Sequence, residues 1–442
     1  MITIPSDYLQ LGKQIPFRVY DEQGRLLVAA GRVIDDERRL AGLQERALFA
    51  DEKEASPWSA GFEQSADALM QKDVTLEVIA AARTDERRRG GASSSADSAT
   101  PQRTSPTAYR PAAAASGAAA HREPAANRRQ VISAAAASQQ TLSERCNALV
   151  AGLGTALRDA ERDPQWLDRI VEVLAMLREL ARFQRNGLLY LLLQHAAHSN
   201  AQYSCHHALL CTLVCEGVGT SLGWSGNALN DLARAALTMN VSMTQLQDQL
   251  AQRDDPLRPA QRSLVQSHAA RSGQILRASD VTNLDWLDIV EQHHDDQLLR
   301  RPLQTLRPTE RLTRLLIMTD RFVAKVSRRG SRHPMSPLAA ARDVCVGPDG
   351  QPDELGSALL KTLGMYPPGS YVQLASGEVG VVVAPGRRMN HPLVAVFIGT
   401  TGMPTTEPVL RDTAQPARAV MRAVPVADVK VQVQPERALA LV

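Results

Sequence analysis

From Thr141 onward, apolar residues recur every three or four positions, the period of a helix with one buried face. Thr141-Leu142-Ser143-Glu144 has the spacing of a capping box, and Ala148, Leu149, Leu153 and Leu157 follow it at helical intervals. Asp163-Pro164 restarts a helix, with Asp as cap and Pro at the tolerated first position, and Leu167, Ile170, Val171, Leu174, Leu177 and Leu180 form one apolar stripe. The pattern runs to about Lys325, broken at Gly223, Asp254-Asp255-Pro256 and Arg307-Pro308, and predicts an all-α domain of six or more helices. Toward both ends of the chain the character becomes that of strands. Phe17, Val19 and residues 26–28 flank Asp21-Glu22-Gln23-Gly24 and predict a β-hairpin. Asp35-Asp36-Glu37 then opens a helix with Leu40, Leu43 and Ala47 at its spacing. Beyond Gly364, Tyr371-Val372 and residues 380–383 and 393–398 predict strands, with further strand-like runs at 419–424 and 429–433.

Composition divides the chain further. Over residues 84–140, Ser, Ala, Pro, Gly and Arg dominate and large apolar side chains nearly vanish, so nothing offsets the entropy of ordering and the stretch reads as a flexible linker. The expected organisation is a small α+β module over 1–83, the linker over 84–140, a helical domain over 141–345 and a β-rich extension over 346–442. This is a mainly α protein. The formal net charge of +3, from 50 basic and 47 acidic residues, steers toward neither nucleic acid nor an anionic surface. Five irregularly spaced cysteines fit neither a disulfide framework nor a paired zinc motif, and point to a reducing, cytoplasmic setting. No apolar run reaches the length of a membrane span.

Candidate chemistry lies between Tyr203 and Asp343. Tyr203-Ser204-Cys205-His206-His207 opens one predicted helix, and Arg234-Ala235-Ala236-Leu237-Thr238-Met239-Asn240 closes the next. Leu257-Arg258-Pro259-Ala260 leads into the helix of His268, Val290-Glu291-Gln292-His293-His294-Asp295 carries paired histidines, and Leu315-Leu316-Ile317-Met318-Thr319-Asp320 ends on an aspartate. Ser336-Pro337 follows. In order and spacing these segments, over roughly residues 141–371, resemble the HD-GYP family of cyclic-di-GMP phosphodiesterases, a subgroup of the HD phosphohydrolases. The resemblance implies an HD-type helical bundle, with His207, His268, His293, His294 and Asp320 as metal ligands.

At its centre the sequence departs from that family. Met239-Asn240 stands where the family has the His-Asp pair that names it. Two-metal hydrolysis of a phosphodiester needs ions about 3.5–4 Å apart, and in the family the aspartate bridges them. An amide brings no charge to that bridge, and a thioether is a weak ligand for iron or manganese. Asp296-Gln297-Leu298-Leu299-Arg300-Arg301-Pro302 occupies the place of the Gly-Tyr-Pro loop, with neither glycine nor tyrosine. The expectation is a catalytically inactive relative in which no catalytic residue remains. The remaining ligands could hold one Fe, Mn or Zn ion, and Arg328, Arg329 and Arg332 could meet phosphates. Its partner would be cyclic di-GMP or a signalling protein. Two alternatives stay open: an active phosphohydrolase with a rebuilt site, in which Asp248, Asp295 or Asp296 replaces the lost ligand, and a scaffold with no nucleotide role. Cys211 and Cys215, at i and i+4 on the His207 helix, read as small buried apolar residues, as do Trp224 and Trp286 on a larger scale.

Overall fold

The structure is a computed structural model. It describes residues 140–345, 352–388, 390–431 and 433–442 and, nearer the N-terminus, residues 2–4, 15, 17–21, 24–36, 43 and 48–51. The linker expected before Gln140 lies outside the described residues. So do Leu40 and Ala47 of the expected N-terminal helix, of which Leu43 is described, as helical. The chain divides into two compact units, Met1–Val74 with Ala339–Lys361, and Thr75–Leu338 with Thr362–Val442.

In the first unit, β1 (Ile2–Ile4), β2 (Val19–Tyr20), β3 (Leu26–Val28) and β4 (Leu48–Ala50) form an antiparallel sheet in the order β1-β4-β2-β3. The expected hairpin is β2 and β3. Its turn is closed by Asp21, whose Oδ1 accepts the Arg25 backbone N–H at 2.9 Å, and by Gly24 at φ +76°, a conformation that glycine adopts without strain. Phe17, Val19, Val28, Ile34 and Ala50 make its buried core.

The second unit begins with α1 (Leu142–Arg158), whose Thr141–Glu144 capping box forms as the sequence predicts. It continues through α2 (Trp166–His198), α3 (Tyr203–Ser221), α4 (Gly226–Thr238), α5 (Thr244–Gln252), α6 (Pro259–Ala278), α7 (Leu284–Gln292), α8 (Gln297–Arg300) and α9 (Pro308–Val326). α3 is buried on every side, as a helix with little amphipathic contrast must be, and packs against α2, α4, α5 and α9. α7 packs against α4 and α9, and α6 lies along α7. Polar ties fix these positions. Arg178 Nε donates to Glu216 Oε1 at 2.6 Å between α2 and α3, and the Trp166 indole donates to Ser279 Oγ at 2.9 Å between α2 and the end of α6. Trp286 is buried as expected, whereas Trp224 is only half-buried.

After α10 (Pro337–Cys345) and α11 (Glu354–Leu363), a five-stranded antiparallel sheet follows: β5 (Tyr371–Leu374), β6 (Val379–Ala384), β7 (Leu393–Ile398), β8 (Pro404–Asp412) and β9 (Val420–Ala423), in the order β8-β7-β6-β5-β9. One face buries Tyr371, Val381, Val383, Ala395 and Phe397 with Tyr190 of α2, and the other buries Val372, Leu374, Val382, Val394 and Val396. Both faces of β6 and β7 are covered, which is why these strands read as continuous apolar runs. Two sequence expectations change here. The run at 429–433 is no strand at its described residues, because Val429, Val431 and Val433 pack on the sheet without joining its ladder. β8, the longest strand among the described residues, gives no strand signal in the sequence because its polar, half-exposed residues and Pro404 and Pro408 hide it. The architecture is mainly α with a small N-terminal sheet and a C-terminal sheet. Among the described residues no helix is long and apolar enough to cross a membrane.

Candidate metal centre

Four elements deliver the candidate ligands. α3 carries His207 in its second turn, α6 carries His268, α7 ends at His293-His294, and α9 carries Asp320. The first turn of α7 is held against the C-terminal end of α4 by Trp286, whose indole N–H donates to Thr238 Oγ1 at 3.0 Å. The same turn is capped by Asn283, whose amide also donates to Asp231 Oδ1 at 2.9 Å. The same contacts hold the C-terminal end of α4, where Met239 is fully buried and Asn240 leads into the 3-10 turn Val241–Met243. Ser242 Oγ donates to the carbonyl of His268 at 2.8 Å and ties this turn to α6.

The five predicted ligands come together as two adjoining groups. In the first, His268, His293 and His294 place one ring nitrogen each within 4.8 Å of one another. His268 Nδ1 lies 2.5 Å from the Val265 carbonyl and His293 Nδ1 2.6 Å from the Val290 carbonyl. A carbonyl oxygen only accepts, so both Nδ1 atoms carry the proton and both Nε2 atoms are bare lone pairs when the rings are neutral. Burial pushes the pKa of both imidazoles down, His293 to about 3 with help from the charge of His294, so neutral is their favoured form. Yet the two Nε2 atoms face each other at 3.1 Å. Two lone pairs at hydrogen-bond distance with no proton between them repel, and an electrophile at that point relieves the repulsion. Nδ1 atoms fixed on carbonyls are also how metal-binding histidines are oriented.

In the second group, His207 Nε2 is 2.7 Å from Asp320 Oδ1 and 3.6 Å from Cys211 Sγ, and the three donor atoms lie within 4.8 Å of one another. Burial alone would raise the Asp320 pKa, but the His207 hydrogen bond and the positive potential of His207, His293 and His294 hold the carboxyl well below the usual range. Burial, then the Asp320 charge, pushes the Cys211 thiol well above its ordinary value. His207 Nδ1 and Asn240 Oδ1 are buried without a hydrogen-bond partner. Such groups cost about 1–3 kcal/mol each when left unmatched.

None of the aspartates considered as replacements has joined the site. Asp248 accepts the Ser204 backbone N–H at 2.7 Å, Asp295 accepts from the Gln297 N–H at 3.0 Å, and Asp296 pairs with Arg321. The segment in the place of the Gly-Tyr-Pro loop folds as α8 and is pinned to α9 by Arg314, whose guanidinium donates to the Leu298 and Arg301 carbonyls. His206 faces away from the centre and stacks on His195 with ring centroids 3.4 Å apart. Of the three arginines expected to meet phosphates, Arg329 donates to the Tyr203 hydroxyl at 2.8 Å and lies over its ring. Arg332 donates to the Ala324 carbonyl at 2.7 Å, and Arg328 is exposed. A different set of arginines, Arg158, Arg162 and Arg271, lines a cavity of about 420 Å³ beside the Val241–Met243 turn. The sequence reads Cys211 as a small buried apolar residue, but its i, i+4 spacing from His207 brings its sulfur into the second group.

No protein-family model matches the sequence, and comparison with curated proteins finds no match. Among solved structures the chain is similar to that of Bd1817, an HDG"Y"P protein from Bdellovibrio bacteriovorus, at a TM-score of 0.38 and 11% identity over 81% of this chain and 97% of the other. At that level of similarity, the chemistry of the centre rests on its own side chains.

Proposed function

We propose that this chain is a degenerate HD-GYP-like regulator. It holds a divalent transition metal on His268, His293 and His294, hydrolyses no phosphodiester, and serves second-messenger signalling by binding an anionic cyclic dinucleotide or a signalling protein. The observation that carries the metal assignment is the pair of bare Nε2 atoms at 3.1 Å, each backed by an Nδ1–H on a carbonyl. Three imidazoles suit zinc, iron or manganese, and a metal bound there supplies positive charge toward an anionic ligand. These three histidines fit one such ion.

The loss of hydrolysis rests on charge. Asp320 is the carboxylate of the two donor groups, and it is engaged by His207. The family's bridging position is taken by Asn240, whose neutral amide leaves two dications unscreened from each other. The arginine-lined cavity beside the Asn240 turn supports an anionic ligand, since guanidinium groups bind phosphate oxygens bidentately. All five cysteines are free and buried, in keeping with a cytoplasmic protein.

Metal analysis of untagged protein purified without oxygen tests this reading, together with cyclic di-GMP binding and turnover. The expected result is bound metal that falls by one equivalent in His293→Ala, and ligand binding without turnover. Sustained hydrolysis abolished by His293→Ala would replace it with the rebuilt-site phosphohydrolase. Absence of both metal and nucleotide binding would leave the scaffold reading.

A further inference from the structure

The second donor group differs in kind from the first. His207 and Cys211 are one helical turn apart on α3, so both side chains leave the same face, and Asp320 of α9 meets them there. The three donors are an imidazole nitrogen, a sulfur and a carboxylate oxygen. A tetrahedral zinc with Zn–N of about 2.05 Å and Zn–S of about 2.3 Å holds those two ligand atoms about 3.6 Å apart. The His207 Nε2 to Cys211 Sγ separation is 3.6 Å. We infer that His207, Cys211 and Asp320 form a second, thiolate-containing metal site selective for zinc or another thiophilic ion, with Cys211 supplying a donor where the Met239-Asn240 change removed two.

This inference rests on the reading of a metal-binding centre given above and extends it to the identity of the ion. A thiolate donor widens the preference for zinc over manganese beyond that of nitrogen and carboxylate donors alone. The other cysteine on this helix is no part of the site. Cys215 lies a further turn along α3 and is absent from both donor groups. On binding, the ion displaces the Cys211 thiol proton to solvent, and the His207 Nε2 proton, now given to Asp320, moves to Nδ1. Nδ1 lacks a partner in either state, so the exchange adds no new unmatched atom. The thiolate is terminal on one ion and does not restore the bridge that hydrolysis requires.

The test uses full-length protein stripped with chelator and titrated with Co(II), followed by zinc X-ray absorption on the reloaded wild type. The expected result is two equivalents, a near-ultraviolet sulfur-to-cobalt charge-transfer band, and one sulfur at about 2.3 Å from zinc. Cys211→Ser should lose the band and one equivalent, Cys215→Ser should keep both, and His293→Ala should lose the other equivalent while keeping the band. A wild type that binds metal with no charge-transfer band and no Zn–S scattering overturns this inference and leaves the three-histidine site standing. A band that persists in Cys211→Ser also overturns it. A band with no loss of metal in His293→Ala overturns the three-histidine site and leaves this one. No metal at either group overturns both. Should Cys211→Ser fail to fold, the wild-type absorption edge still decides.

Discussion

Replacing His293 by leucine in metal-free protein should change the pH dependence of stability more than stability itself. His293 is fully buried, and its pKa is held down to about 3, first by burial and then by the charge of His294. In the unfolded chain the same group titrates near about 6.5. The unfolded state therefore binds the extra proton between those values. The stability contributed by the neutral imidazole is complete above pH 6.5 and is lost as pH falls toward 3, at about 1.4 kcal/mol per pH unit. From pH 6.5 to pH 5 the loss is about 2 kcal/mol. Asp320 does not interfere in this window, since its depressed carboxyl contributes stability above the ordinary carboxylate pKa and loses it only in stronger acid. Leucine removes the titration and the hydrogen bond to Val290, which is worth about 1 kcal/mol. Urea unfolding with chelator present, at several pH values from 7.5 to 5, measures the difference. The wild type should lose about 2 kcal/mol of its advantage over His293→Leu across that range. A difference that stays constant with pH would show that the ring is not held neutral, and would remove the argument from facing lone pairs.

Two further outcomes test the surroundings of the centre. Asn240→Asp places a carboxylate where a buried amide oxygen lacks a partner, so it should destabilise metal-free protein by about 1–3 kcal/mol and tighten metal binding, as read by unfolding and by metal titration. Trp286→Phe removes the indole N–H that holds α7 to Thr238, and should cost about 1 kcal/mol or more in thermal or urea unfolding while lowering metal affinity, because the paired histidines ride on α7.

Local sequence pattern is enough to specify the helical periods, the Thr141 capping box, the hairpin at Asp21–Gly24, the division into helical and strand-forming stretches, and the order of the histidines that resembles HD-GYP proteins. These signals are local: a period, a cap or a turn depends on residues a few positions apart. Strand β8 escaped because its half-exposed face lacks alternation, and the valines at 429–433 misled because apolar packing on a sheet has the same composition as joining it. Packing around α3 is what gathers His268, His293 and His294 into one group and His207 and Asp320 into the adjoining one, because these residues come from four separate helices. The tertiary structure alone shows Asp248, Asp295 and Asp296 engaged elsewhere. A buried cysteine read as a small apolar residue from sequence is adjacent to an imidazole and a carboxylate in space, and that adjacency, which no local pattern encodes, gives Cys211 its chemistry.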